Sequence, residues 1–150
     1  MPETSEGTAT PRFSPQARRR ARRAALQALY QWQMTSDESR EIIRQFLDEP
    51  KMSRADIEYF KALVYGVTQA ATELDQQFED TLDRPLAQID PIEHAILRIG
   101  TFELLERIEV PLRVVINEGV ELAKTFGGEQ SHRYINGILD KLATKLRPGL

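Results

Sequence analysis

The stretch Ala17-Arg-Arg-Arg-Ala-Arg-Arg-Ala-Ala-Leu-Gln-Ala-Leu-Tyr-Gln-Trp-Gln33 sets five arginines at the head of an unbroken run of good helix formers, with no Gly or Pro. It reads as one helix that displays its arginines along the first two turns. With successive residues about 100° apart around the axis, Ala21, Ala25, Ala28, Leu29 and Trp32 form a core-facing stripe. Arg19, Arg23, Leu26 and Tyr30 line one flank, and Arg20, Gln27 and Gln31 point to water. Cations at a helix N-terminus are locally unfavourable, by about 0.3–1 kcal/mol each. An anionic partner converts that cost into affinity; a solvated charge run with Leu26 and Tyr30 packed under a neighbour is the other reading, and composition does not separate the two.

A helix with an apolar stripe needs further helices to cover it, and the rest of the chain supplies them. Ser36-Asp-Glu-Ser39 offers N-caps for a short helix with Ile42, Ile43, Phe46 and Leu47 inward, ended by Pro50. Ser53 opens a third and longest helix, in which Ile57, Phe60, Val64, Val67, Ala71, Leu74 and Phe78 alternate by three and four. Residues 83–89 break the periodicity, have room for a turn of helix, and mark the expected junction between halves at about 16–82 and 90–148. Asp90-Pro-Ile-Glu93 reads as a helix start with a capping box, and Ile92, Ala95, Ile96, Ile99 and Phe102 line the buried side that follows. A fifth helix begins at Pro111, carries Val115, Ile116, Gly119, Leu122, Ala123 and Phe126, and is expected to close at Gly127-Gly128 through a left-handed cap. Ser131 is the expected cap of the last helix, where Ile135, Ile138, Leu139, Leu142 and Leu146 face inward; Asn136-Gly137 lies inside this stripe and is therefore helical. No alternating strand pattern appears. The fold class is all-α, a single helical domain over residues 16–148 with three helices on each side of the junction. Residues 1–15, small, polar and with three prolines, read as a disordered tail.

At 150 residues, with 41% hydrophobic residues and no cysteine, the chain has one domain's worth of core and no disulfide or thiolate metal site. No segment reads as a membrane span or a secretory signal, so the cytoplasm is the expected location. The net charge of −3 hides a segregation: outside the five clustered arginines stand 15 basic and 23 acidic residues. An acidic body with one basic end approaches a polyanion in one orientation.

No catalytic machinery is legible. His94 and His132 lack zinc-ligand spacing, Ser131, His132 and Asp140 lie on one helix and cannot form a relay, and Glu118 and Glu121 match the polar face of a surface helix. No Gly-rich phosphate loop occurs. The chain is read as a non-enzyme with no metal and no organic cofactor.

Two stretches carry a family resemblance. Ala17-Arg-Arg-Arg-Ala-Arg22 running into Ala28-Leu-Tyr-Gln-Trp-Gln33, and Val115-Ile-Asn-Glu-Gly-Val-Glu-Leu-Ala-Lys-Thr-Phe-Gly127 running into Ser131-His-Arg-Tyr-Ile-Asn-Gly-Ile-Leu-Asp-Lys141, resemble the NusB family of bacterial transcription antitermination factors, with Ala95-Ile-Leu-Arg-Ile99 and Val110-Pro111 in support. The resemblance spans about residues 16–148. It implies two three-helix halves and binding of boxA-type single-stranded RNA in ribosomal RNA leader transcripts. The implied partner is NusE, a small-subunit ribosomal protein, within an antitermination complex with RNA polymerase and away from membranes. Carried over by position, Arg18, Arg19 and Arg22 with Gln130, Arg133 and Tyr134 are implied to contact RNA, and Arg23 extends the basic run. Tyr30 and Glu93 fall where the family faces NusE. Periodicity places Tyr134 at the edge of a buried stripe, suited either to stacking on a base or to ordinary boundary packing, and Glu93 is also explained by the capping box. Arg23 and Gln130 replace residues that are commonly acidic or neutral in the family, which favours tighter non-specific RNA binding. Two alternatives stand beside this: a non-catalytic protein-binding adaptor, and a stand-alone relative of the RNA-binding domain of ribosomal RNA methyltransferases, whose catalytic half has no βαβ counterpart here.

Overall fold

Ser14 and Pro15 begin the first helix: the Ser14 hydroxyl accepts a hydrogen bond from Ala17 N at 3.1 Å and Pro15 takes the first helical position, where its missing N–H costs nothing. The computed structural model describes residues 14–149. The expected tail therefore loses its last two residues to the helix, and residues 1–13 lie outside the described part. The α-helices are α1 (Pro15–Thr35), α2 (Ser39–Leu47), α3 (Ile57–Gln69), α4 (Ala71–Phe78), α5 (Pro91–Glu106), α6 (Leu112–Phe126) and α7 (Ser131–Leu146). Short 3-10 turns cover Pro50–Arg54, Glu79–Thr81 and Leu86–Gln88. Among the described residues there is no strand, and the all-α class stands.

The long third helix of the sequence reading is two helices. Ala70 interrupts it with φ −120° and ψ 22°, and just before it the Thr68 hydroxyl donates to the Tyr65 carbonyl at 3.1 Å, a side-chain bond that competes with the helical ladder. The chain divides into two compact units at this break, between Thr68 and Gln69, and not at residues 83–89. The reason is packing. Helix α4 is tied to α5 by a buried ion pair of Asp75 with Arg98, and so belongs with the helices that follow it.

In the first unit, α1 lies beside α2 and the 3-10 turn at Pro50–Arg54. Ala21, Ala25, Ala28 and Leu29 are fully buried, as their spacing predicts, Trp32 at the end of the same expected stripe is only half-buried, and Phe46 of α2 stacks on Phe60 of α3 with ring centroids 5.9 Å apart. Gln27 and Gln31 are not simply turned to water: they bond Lys51 at 2.6 Å and Gln45 at 3.2 Å. Ser53 does not open α3. That role falls to Asp56, whose Oδ1 accepts from Tyr59 N at 3.0 Å.

In the second unit, α5, α6 and α7 pack on one another and α4 packs on α5. Leu139 of α7 lies where α5 and α6 are both glycine. A Cβ at Gly100 would stand 2.8 Å from Leu139 Cδ2, and one at Gly119 would stand 2.5 Å from Leu139 Cδ1, so the Leu139 side chain fills the space that a side chain at either position would need. Asp90 caps α5 as expected, its Oδ2 accepting from Ile92 N at 2.9 Å and Glu93 N at 3.1 Å, with Pro91 next.

Candidate nucleic-acid interface

The basic start of α1 has no acidic residue in its first turn. Its arginines nevertheless have unequal surroundings. Arg18 stacks over the Tyr59 ring, 3.7 Å from guanidinium carbon to centroid, and its Nε pairs with Asp56 Oδ2 at 3.3 Å. Arg22 is only 3% exposed and points its guanidinium toward the same ring, at 5.4 Å. This departs from the sequence expectation, which put Arg22 on the outer surface: a side chain one turn after Arg18 shares its face, and that face meets α3. Arg19 and Arg20 are half-buried and Arg23 is exposed.

Asp56 and Tyr59 organise this cluster, and the sequence reading missed both. Asp56 is buried, caps α3 with one oxygen, holds Arg18 with the other, and donates its backbone N–H to the Ala17 carbonyl at 3.0 Å. The available signal was an Asp directly before the apolar run Ile57 to Phe60, a cap pattern at least as good as Ser53. Five arginines with no acid in the first turn make the helix start a cationic feature. Guanidinium groups so placed fit phosphate oxygens, which position a nucleic acid without reading its sequence. Further along α1, Tyr30 is 38% exposed while Leu26 beside it in the expected flank is fully buried, so that flank is open at Arg23 and at its aromatic end and closed between them.

In the second unit, the start of α7 differs from the expected capped serine. Ser131 is the first helical residue, and its hydroxyl donates to Glu93 Oε2 at 2.7 Å in a buried bond. Glu93 thus turns its carboxylate to α7 and not back to its own cap. It is 9% exposed, so its first role is to join the starts of α5 and α7. Gly127, expected in a left-handed cap, is extended at φ −91° and ψ −179°. Glycine is required there by proximity: an added Cβ would stand 2.5 Å from Ser131 Oγ.

This junction sets out the remaining expected site residues. Gln130 and Arg133 are exposed, and Tyr134 is half-buried. The Tyr134 hydroxyl is buried beside the Asp83 carboxylate, and the Arg84 guanidinium lies over its ring at 4.6 Å from the centroid. Burial pushes the Tyr134 phenol above its ordinary pKa; Arg84 works against that shift and the Asp83 carboxylate adds to it. Asp83 is itself held below the usual carboxylate range, first by its hydrogen bond from Arg84.

His94 is not a solvent-facing histidine. Its Nε2 lies 2.9 Å from Asp75 Oδ1, and Arg98 grips the same carboxylate through Nε at 2.9 Å and Nη2 at 2.8 Å. Among the described residues no cluster of three or more His, Cys, Asp or Glu side chains is arranged to hold a metal ion. None of the described helices is long and apolar enough to cross a membrane.

Comparison with known proteins completes this description. A NusB family model matches residues 19–144. The transcription antitermination protein NusB of Marinomonas sp. is 54% identical over 134 residues, covering 88% of this chain and 77% of the relative. That of Halorhodospira halophila is 56% identical over 124 residues, covering 83% and 79%, and that of Idiomarina loihiensis is 48% identical over 136 residues, covering 91% and 98%. Among solved structures, T. maritima NusB aligns with a TM-score of 0.76 at 29% identity, over 85% of this chain and 90% of the other. A crystal structure of the antitermination factors NusB and NusE in complex with double-stranded RNA aligns with a TM-score of 0.80 at 24% identity, over 88% and 99%, which shows the shared fold.

Proposed function

This chain belongs to the NusB family, and from that premise we propose that it is an RNA-binding transcription antitermination factor, acting on boxA-type ribosomal RNA leader transcripts together with NusE. The observation that carries the RNA-binding part is the start of α1, where five arginines gather with no acid in the first turn. The solved complex of NusB and NusE with RNA supports the same pairing. Arg19 and Arg23, with Gln130 and Arg133 at the start of α7, are the proposed direct contacts. Arg18 and Arg22, turned toward Tyr59, contribute field and hold the helix start in place. The work is binding within an antitermination complex with RNA polymerase in the cytoplasm, with no catalytic step.

Replacing Arg19 and Arg23 by Ala tests this. Each phosphate neutralised on a single strand contributes about 0.7 to the slope of log affinity against log salt, so the double variant should flatten that slope by about 1.4. Matched and scrambled RNA should weaken alike, because phosphate contacts carry no sequence information. A duplex of the same sequence, titrated in parallel, shows which form is preferred. An unchanged affinity and slope would make the basic start a solvated face, and the protein an adaptor.

Tyr30, exposed on α1, is the proposed anchor for NusE. Truncating an aromatic anchor at an interface commonly costs about 2 kcal/mol, so Tyr30→Ala should weaken NusE binding roughly tenfold or more, read by calorimetry, with the melting temperature unchanged. Normal NusE binding by this variant would place the interface elsewhere. Glu93 is a poorer probe, since its carboxylate holds Ser131.

A further inference from the structure

Residues 83–89 supply none of the RNA contacts proposed so far, yet they bring a guanidinium onto Tyr134. Arg84 lies over the Tyr134 ring at 4.6 Å and is gripped by its chain neighbour Asp83, Nε to Oδ1 at 2.7 Å and Nη2 to Oδ2 at 3.1 Å. We infer that Arg84 is a further group through which this part of the protein meets RNA, and that Tyr134 is the positioning residue behind it. This assignment rests on the RNA-binding function proposed above and adds a contact residue to it.

The geometry runs from inside outward. The Tyr134 hydroxyl is buried beside the Asp83 carboxylate, so the polar tip of the phenol is not offered to a ligand. One ring face carries Arg84, whose own side chain is 41% exposed. A ligand arriving there meets the guanidinium before it meets the ring. A planar guanidinium resting on an aromatic floor presents its second face for stacking on a base and its edge for a phosphate oxygen. Asp83 occupies two of the donor nitrogens and leaves Nη1, so an incoming phosphate competes with a neighbouring carboxylate and not with a core contact. Exposed Arg133, next to Tyr134 in sequence, adds a second cation to the same helix start.

The test is an anisotropy titration of a labelled boxA-type RNA with NusE present, repeated across salt concentrations, with circular dichroism confirming that each variant folds. Arg84→Ala should weaken binding by at least about fivefold, the lower end of what a stacked base contributes, and flatten the salt slope by about 0.7. Arg84→Lys should keep the slope but not the affinity, because an ammonium does not stack as a planar guanidinium does. Asp83→Asn should tighten binding. Tyr134→Phe should bind normally, and Tyr134→Ala should weaken binding when made alone but add nothing measurable in the Arg84→Ala background. Wild-type affinity and slope in Arg84→Ala would overturn the assignment, as would a full additional loss from Tyr134→Ala in that background, which would put the base on the ring itself. If the Arg19 and Arg23 double variant loses affinity while Arg84→Ala does not, only this assignment falls. If the unmodified protein binds no RNA, the function proposed above falls and takes the assignment with it.

Discussion

Arg147→Ala should lower the stability of the protein by about 3–5 kcal/mol, a large share of the 5–15 kcal/mol typical of a folded domain. Arg147 follows the end of α7 and is buried. It donates to four backbone carbonyls: Leu104 at 3.0 Å from Nε, Val110 at 2.6 Å from Nη1, and Glu103 at 3.0 Å and Arg107 at 3.1 Å from Nη2. Three of these lie at the C-terminus of α5, where the last turn runs short of backbone donors although Glu103 O also accepts from Arg107 N, and the fourth fixes the turn into α6. Truncation removes charged hydrogen bonds worth about 1.5–3 kcal/mol each, while water recovers part of the loss as it enters the vacated site. At about 2–4 °C per kcal/mol for a chain of this size, the melting temperature should fall by roughly 10 °C. Arg147→Lys should recover less than half, since one ammonium cannot span a fork of carbonyls. A melting temperature within a degree of wild type would show that these bonds contribute nothing net.

Asp75→Ala should cost a similar amount, about 3–5 kcal/mol at neutral pH, because it removes the carboxylate that pairs with the buried Arg98 guanidinium. The consequence reaches the proposed RNA surface: Asp75 binds His94 and Arg98 on α5, and Glu93 of the same helix holds Ser131 at the start of α7. The pH dependence gives a sharper reading. Burial pushes the Asp75 carboxyl upward, but the hydrogen bonds and the charge interactions with His94 and Arg98 together outweigh it, and the group lies below its ordinary value. A carboxyl depressed in the folded state adds stability that is fully present above the ordinary carboxylate range and is lost as pH falls through the folded value. The gap between wild type and Asp75→Asn in urea midpoint should therefore be widest near neutrality and shrink below about pH 4. A gap that stays constant down to pH 2 would mean that Asp75 acts through packing alone.

The helical class, the buried stripe of α1, the cap and proline that start α5, and the helical state of Asn136-Gly137 were all legible in the chain, because each depends on the spacing of residues within one helix. So was the basic start of α1 as a feature. Which of its arginines face outward was not, because periodicity orders side chains around an axis but does not say which neighbour covers which side. Arg22 was expected on the surface and is buried beside Tyr59.

What tertiary structure decided is where polar groups found their partners. Ser131 and Glu93 each looked like members of a local cap, yet they bond each other across 38 positions of sequence. Asp56 serves both its own helix and Arg18, Arg84 lies over Tyr134, and Arg147 closes a helix whose last residue, Glu106, is far away in the chain. Gly127 was read as a conformational glycine and is one of proximity. Local pattern predicts hydrogen bonds within a turn or two, where chain connectivity sets the distance between donor and acceptor. Between helices, that distance depends on how whole apolar faces pack, and a polar side chain at the edge of such a face pairs with whatever the packing brings to it.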